Sequence, residues 1–155
     1  MNLKNYILEY VSSGRGKIIK ATDDTIRQIV KDELDRLGHD ADLNHIDVSR
    51  VTNMDSLFSC YDDDLGPKYK DLNPDISRWN VSNVKCMKSM FWECKNFDCD
   101  ISDWDVSSVT DVAFMFHGCK NFDQDISKWD VNNVEHHYFM FEDCPIKEEY
   151  KPKFK

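Results

Sequence analysis

The sequence predicts an α/β repeat fold, a short solenoid in which each coil carries one short strand and one short helix, behind an α/β N-terminal cap. Two observations lead to this prediction. The segments 81–105, 106–130 and 131 onward align without a gap at a period of 25 residues. Within each segment, apolar residues first keep a helical spacing and then form a short stretch typical of a strand. Fixed periods of about 20 to 50 residues are typical of stacked repeat proteins.

The repeat is visible as columns of apolar residues. The columns are Val81, Val106 and Val131; Val84, Val109 and Val134; Met90, Met115 and Met140; Phe91, Phe116 and Phe141; and Cys94, Cys119 and Cys144. The helical spacing from Val84 to Cys94 predicts a helix of about three turns. The stretch from Ile101 to Val106 is short and predicts a minimal strand. A helix and a strand in each copy indicate a leucine-rich-repeat type of coil.

The repeat region is expected to span residues 48–144 in about four copies, 48–80, 81–105, 106–130 and 131–144. The first copy runs 33 residues from Val48 to Val81, so it carries an insertion near residues 61–70. That insertion contains Asp62, Asp63 and Asp64 and a Gly-Pro pair, which are typical of a surface loop. Insertions of this kind often lie on the binding face of a repeat protein.

Residues 1–47 are predicted to cap the repeats, and residues 145–155 to form a C-terminal tail that is polar and loose over residues 151–155. In the cap, residues 3–11 place apolar side chains on one helical face, and residues 17–20 suit a short strand. A second helix is expected to start at Thr22 and stop at Gly38. Its apolar stripe consists of Ile26, Ile29, Val30, Leu34 and Leu37.

The charge indicates which partners the chain can take. The formal net charge is -9, and the repeat region holds 18 acidic against 9 basic residues. Such a surface repels phosphate backbones, so direct nucleic-acid binding is not expected and a basic protein partner is favoured. No stretch approaches the roughly 20 apolar residues of a membrane span. We expect the cytoplasm of a bacterial host, with the cell surface as the alternative if a leader precedes this sequence.

Chemistry-bearing residues point to binding rather than catalysis. No nucleophile, base and orienting group occur together, so we expect neither an enzyme nor a cofactor. The cysteine column is interpreted as buried free thiols, since cysteine packs as a small apolar group. The acidic columns allow two interpretations, bonds to local turns or a calcium site. Those columns contain Asp75, Asp100 and Asp125, followed by Asp105 and Asp130.

Positions that vary between copies are the candidates for partner binding. The aromatic candidates are Trp92, Phe114, His117, Tyr138 and Phe139, and the acidic ones are Asp62, Asp63, Asp64, Asp100, Asp105, Asp125 and Asp130. Exposed aromatic side chains are typical anchors of protein interfaces. Phe114 and Phe139 have a second interpretation, in which they pack against the next copy. Trp92 and Tyr138 are therefore the stronger candidates.

The recurring Asp-Ile-Ser, Trp-Asp-Val, Met-Phe and Cys-x-x-Phe strings resemble the BspA-like leucine-rich-repeat surface proteins over about residues 46–144. The resemblance implies a stacked repeat array used for recognition, often at bacterial surfaces, and it supplies no catalytic residue. We expect a non-enzymatic protein-interaction module. One form is an intracellular binder or inhibitor of a basic protein, such as a defence nuclease, encoded by a phage or mobile element. The alternative is a bacterial surface protein of the adhesion type. The oligomeric state stays open.

Overall fold

The computed structural model describes residues 18–61 and 69–155. Its regular elements are strand β1 (Ile19–Lys20), helix α1 (Ile26–Leu37), strand β2 (Ile46–Asp47) and a 3-10 helix (Glu148–Tyr150). The two strands pair in parallel, with Ile19 opposite Ile46 and Lys20 opposite Asp47. The helix predicted over residues 3–11 lies outside the described residues, as does the first position of the strand predicted over 17–20.

Helix α1 is the predicted cap helix. Ile26, Ile29, Val30 and Leu34 are buried, whereas Leu37 is 44% exposed. The helix ends at Gly38, where φ is 96° and the backbone N–H donates to the carbonyl of Leu34. Glycine adopts such a positive φ without a Cβ clash, so the predicted stop is confirmed. The helix begins four residues later than Thr22, because residues 22–25 form a turn first.

In the described residues, the repeat copies contain neither the helix nor the strand that their spacing predicts. Helix α1 is the only α-helix in the described part of the chain, and it precedes the first copy. Both strands are two residues long and also precede the first copy. No solenoid built from strand-plus-helix coils is evident, so the prediction of a short leucine-rich-repeat-type α/β fold is wrong.

Hydrogen bonding explains why no helix forms. An α-helix needs each N–H to bond the carbonyl four residues back. Here the N–H of Met90 bonds the carbonyl of Met87, three residues back, at 3.2 Å. The following N–H, of Phe91, bonds the carbonyl of Met115 in the next copy at 3.0 Å. This alternation continues over residues 87–94, so a helical spacing of apolar residues is realised by consecutive tight turns.

Bonds between copies hold the repeat region in register. Single parallel bridges join Asn53 to Cys86, Cys86 to Asp111, and Asp111 to His136. The rings of the Phe column lie behind this row, with centroids 5.5, 5.6 and 5.9 Å apart from Phe58 through to Phe141. The apolar side chains that the sequence groups in columns therefore form one continuous core.

The C-terminal tail is packed rather than loose. Ile146 is 5% exposed, and Pro152 is buried. The Phe154 ring stacks on His137 with centroids 4.2 Å apart. The N–H of Ile126 donates to the carbonyl of Tyr150 at 3.0 Å. The tail thus covers part of the last copy, which its polar composition does not predict.

Candidate functional site

Side chains from all four copies form a connected row of rings, which we call the aromatic stripe. Its members are Tyr61, Trp92, Phe114, His117, Tyr138 and Phe139. Five of the six were expected from the sequence as partner-binding candidates. The structure brings them together because equivalent positions of neighbouring copies are hydrogen-bonded in register.

The rings of the aromatic stripe are in direct contact. Tyr61 stacks on Trp92 with centroids 4.2 Å apart and planes 1° apart. Trp92 stacks on Phe114 at 5.3 Å. Phe114 then contacts Phe139 at 5.3 Å in a stacked arrangement and Tyr138 at 5.3 Å edge-on. Such contacts fix the rings before any partner arrives, which lowers the entropic cost of binding.

Exposure separates the outer members of the aromatic stripe from the inner ones. Tyr61 is 64% exposed, Phe139 55% and Tyr138 49%. Trp92 and Phe114 are half-buried between these outer rings. Phe114 is flanked by neighbouring rings, which agrees with its interpretation as a packing residue. Phe139 faces solvent, which agrees with its interpretation as a partner-binding residue.

Two phenylalanines of the stripe occupy an unusual backbone position. The equivalent residues in the four copies are Ser56, Ser89, Phe114 and Phe139, with φ of 56°, 54°, 58° and 55°. A bulky side chain in this left-handed region is rare and costs on the order of 1 kcal/mol. Serine serves this backbone in two copies, so the backbone does not require a phenylalanine. An aromatic ring kept there at a cost in stability is consistent with a functional role.

Acidic groups border the aromatic stripe. Glu93 follows Trp92, and the equivalent side of the last copy carries Glu142 and Asp143. Nε2 of His117 lies 3.9 Å from a carboxylate oxygen of Glu142. Rings beside carboxylates form a surface suited to cationic side chains, which interact favourably with both.

The acidic columns serve the turns of the repeats. Oδ1 of Asp100 accepts the backbone N–H of Ser102 at 3.0 Å and its hydroxyl at 2.7 Å. The Ser102 hydroxyl bond, with the backbone bond, lowers the pKa of Asp100 below its usual value. The same arrangement recurs at Asp75, Asp105, Asp125 and Asp130, with Asn132 replacing serine at the last. Over residues 18–61 and 69–155, no three His, Cys, Asp or Glu side chains are placed to hold a metal ion.

The insertion in the first copy is only partly described. Asp62, Asp63 and Asp64 lie outside the described residues, so their role as candidates stays a prediction. Tyr61 was expected only as the first residue of that loop, and the structure adds it to the stripe. The sequence signal for Tyr61 is that the alignment of the first copy with the later copies breaks at this residue.

The cysteines are free thiols. Cys94 and Cys119 are buried, and this burial raises the pKa of both thiols well above the usual value. The thiol of Cys119 donates to the carbonyl of Phe91 at 3.0 Å. Cys144, at the end of the column, is half-buried. The column therefore acts as packing between copies.

Comparison with known proteins places this repeat chain in a family. Residues 30–151 match the model of the family described as "Mycoplasma protein of unknown function, DUF285". The chain belongs to this family, since the match covers most of its 155 residues. No curated protein and no solved structure matches the chain. In the described part of the chain, no helix is both long and apolar enough to span a bilayer.

Proposed function

We propose that this protein is a non-enzymatic protein-interaction module that binds its partner through the aromatic stripe. The observation that carries the proposal is the continuous contact of six rings across four copies, with its outer rings 49 to 64% exposed. Monomeric proteins rarely expose contiguous apolar patches without a function. Tyrosine and tryptophan are also enriched among the residues that dominate binding energies.

The partner that this surface favours is a basic protein. The repeat region carries twice as many acidic as basic residues, and Glu93, Glu142 and Asp143 border the stripe. Arginine side chains can stack on the rings while pairing with the carboxylates. An intracellular inhibitor of a basic nucleic-acid-handling protein, such as a defence nuclease, would use this arrangement, and a phage or mobile element would supply its gene.

Affinity capture with the tagged full chain tests this function. The chain is used as bait in a lysate of the source cells, at low and at high salt. A basic partner should be captured at low salt and released as salt rises, because exposed charges are screened. The double variant W92A/Y138A should lose that partner. The control D103A/K128A alters exposed residues of a separate polar cleft and should retain it. Equal capture by both variants would contradict the proposal that the aromatic stripe binds the partner.

A surface protein of the adhesion type is the second candidate. It rests on the resemblance to the BspA-like repeat proteins, which are used for recognition at bacterial surfaces. Localisation distinguishes the two functions. Protease added to intact cells should spare an intracellular binder and should digest a surface protein. A melting temperature raised by added calcium would support the surface function and the calcium interpretation of the acidic columns.

A further inference from the structure

Two thiols of the repeat region are in direct contact. Sγ of Cys60 lies 3.6 Å from Sγ of Cys94. Cys60 belongs to the first copy and Cys94 to the second, so the contact joins neighbouring copies. Over residues 18–61 and 69–155, no other two cysteines are hydrogen-bonded to each other. The thiols of Cys99 and Cys119, for example, are hydrogen-bonded only to oxygen atoms.

The backbone of Cys60 differs from that of the equivalent residues in the later copies. Cys60 takes the place of Glu93, Gly118 and Asp143, which have φ of 61°, 73° and 56°. Cys60 itself does not have a positive φ. Its N–H still donates to the carbonyl of Trp92 at 2.8 Å, so its backbone lies against the second copy. The first copy thus departs from the repeated backbone at the residue whose thiol contacts the second copy.

The first two copies are close enough for a disulfide bond. Backbone segments that are hydrogen-bonded side by side lie about 4.8 Å apart, and a disulfide needs Cα atoms about 4.4 to 6.8 Å apart. The two sulfurs must approach by about 1.5 Å to reach the S–S bond length of about 2.05 Å. Rotation about the Cα–Cβ bond of the less buried cysteine supplies a movement of this size.

The two thiols differ in their access to solvent. Cys60 is half-buried, whereas Cys94 is 0% exposed. Burial also raises the pKa of the Cys94 thiol well above its usual value, so this thiol holds little of the reactive thiolate. A small oxidant therefore reacts first at Cys60, and Cys94 lies in place to react second. A reachable cysteine beside a resolving cysteine is the usual arrangement of a redox-sensitive pair.

We propose that Cys60 and Cys94 are oxidised by a hydroperoxide to a disulfide that links the first copy to the second. In the first step the O–O bond breaks, the Cys60 thiol becomes a sulfenic acid, and the hydroperoxide is reduced to an alcohol, or to water if it is hydrogen peroxide. The Cys94 sulfur then attacks the Cys60 sulfur. The S–S bond forms, and the hydroxyl group leaves with the Cys94 thiol proton as water.

The disulfide closes a loop of about 35 residues between the first two copies. It opposes separation of these copies and holds Tyr61 beside Trp92, its stacking partner at 4.2 Å. A dithiol reductant reverses the link by thiol–disulfide exchange and is itself oxidised to a disulfide. This inference goes beyond the proposed function, because it concerns two thiols and requires no partner.

Peptide mapping of the oxidised full chain tests the link. The reduced protein is treated with equimolar hydrogen peroxide, the remaining thiols are alkylated, and trypsin is added. Trypsin places Cys60 in the peptide of residues 51–68 and Cys94 in that of residues 89–95, each without a second cysteine. The two peptides should be recovered joined, with a mass about 2 Da below their sum because two hydrogens are lost.

The product must also be a link within one chain. The oxidised protein should migrate as a monomer on a non-reducing gel. A sulfinic acid at Cys60 without the joined peptides, Cys60 joined equally to several cysteines, or a linked dimer would overturn the proposal.

Two matched variants and a melting measurement complete the test. C60S should form no link, whereas C99S alters another half-buried thiol and should behave as the parent chain. Oxidation should raise the melting temperature of the parent chain and of C99S by about 5 °C or more, as a loop of this length predicts, and dithiothreitol should reverse the rise. An unchanged melting temperature in the linked protein would contradict the proposed stabilisation. The variant W92A/Y138A should still form the link, so failure of the stripe and failure of the disulfide are distinguishable.

Discussion

At the scale of single residues, left-handed backbone positions mark where sequence and structure conflict. Each of the later copies has two such positions, and the second is filled by Glu93, Gly118 and Asp143 with φ of 61°, 73° and 56°. Glycine occurs at only one of these positions. The fold requires this backbone conformation whichever residue occupies the position. Each non-glycine residue there lowers the stability of the fold.

The first prediction concerns Phe139. Changing Phe139 to Ser places in the last copy the residue that the first two copies already use at this position. The free energy of unfolding should change by less than about 0.5 kcal/mol, because the lost ring is 55% exposed and serine carries the same Cβ strain at this backbone position as phenylalanine does. Partner binding should weaken. Urea denaturation and a binding titration of the same preparation measure the two effects, and a marked loss of stability would show that Phe139 is a packing residue.

The second prediction concerns the serine bonds to the acidic columns. The hydroxyl of Ser102 lowers the pKa of Asp100, so the change S102A should return that pKa toward its ordinary value of 3.8. A carboxyl with a lowered folded pKa stabilises the fold fully above its unfolded value, and this stabilisation disappears as pH falls through the folded value. Stability should therefore fall with pH below about 3.8 in the parent chain, and less steeply in S102A.

Carbon NMR titration of the Asp100 carboxyl measures this pKa directly. S108A is the matched control, since the Ser108 hydroxyl has no hydrogen-bond partner among the described residues. Identical titration curves for Asp100 in the parent chain and in S102A would contradict the assignment of the serine bond as the cause.

At the scale of elements, the sequence predicts what is buried better than how the backbone runs. The Val, Met, Phe and Cys columns are almost all buried, and α1 ends at the glycine that was expected to stop it. The prediction of a helix and a strand in each copy was wrong. Apolar residues three and four apart satisfy both a helix and a chain of tight turns, and only the bonds to neighbouring copies decide between them. Those bonds join residues that are far apart in the sequence, so the local spacing of apolar residues does not reveal them.

The third prediction tests the tryptophans that link neighbouring copies. The indole N–H groups of Trp79, Trp104 and Trp129 donate to the carbonyls of Leu43, Ile76 and Ile101, each in the preceding segment. The change W104F keeps most of the apolar ring but leaves a buried carbonyl without this donor. It should cost about 1 to 3 kcal/mol of unfolding free energy. Urea denaturation measures it, with Y138F, at an exposed position, as the control that should remain near the parent value.

At the scale of the whole molecule, the aromatic stripe arises only from the assembled copies. The sequence identified five of its six rings, since variable aromatic positions stand out against a repeated core. It could not predict that Phe114 would lie between Trp92 and Phe139, or that Tyr61 would join them, because these contacts depend on how the copies pair. The family is one of unknown function, so the proposed function rests on the surface of the chain itself.

The most direct measurement is the dissociation constant of the purified partner for the parent chain and for W92A/Y138A. Circular dichroism and urea denaturation establish first that both are equally folded. Loss of two ring anchors should weaken binding at least about 30-fold, since one anchor of this type contributes about 2 kcal/mol or more and such contributions are not additive. The parent complex should also weaken as salt increases. Equal dissociation constants for the two folded proteins would contradict the claim that the aromatic stripe is the binding surface.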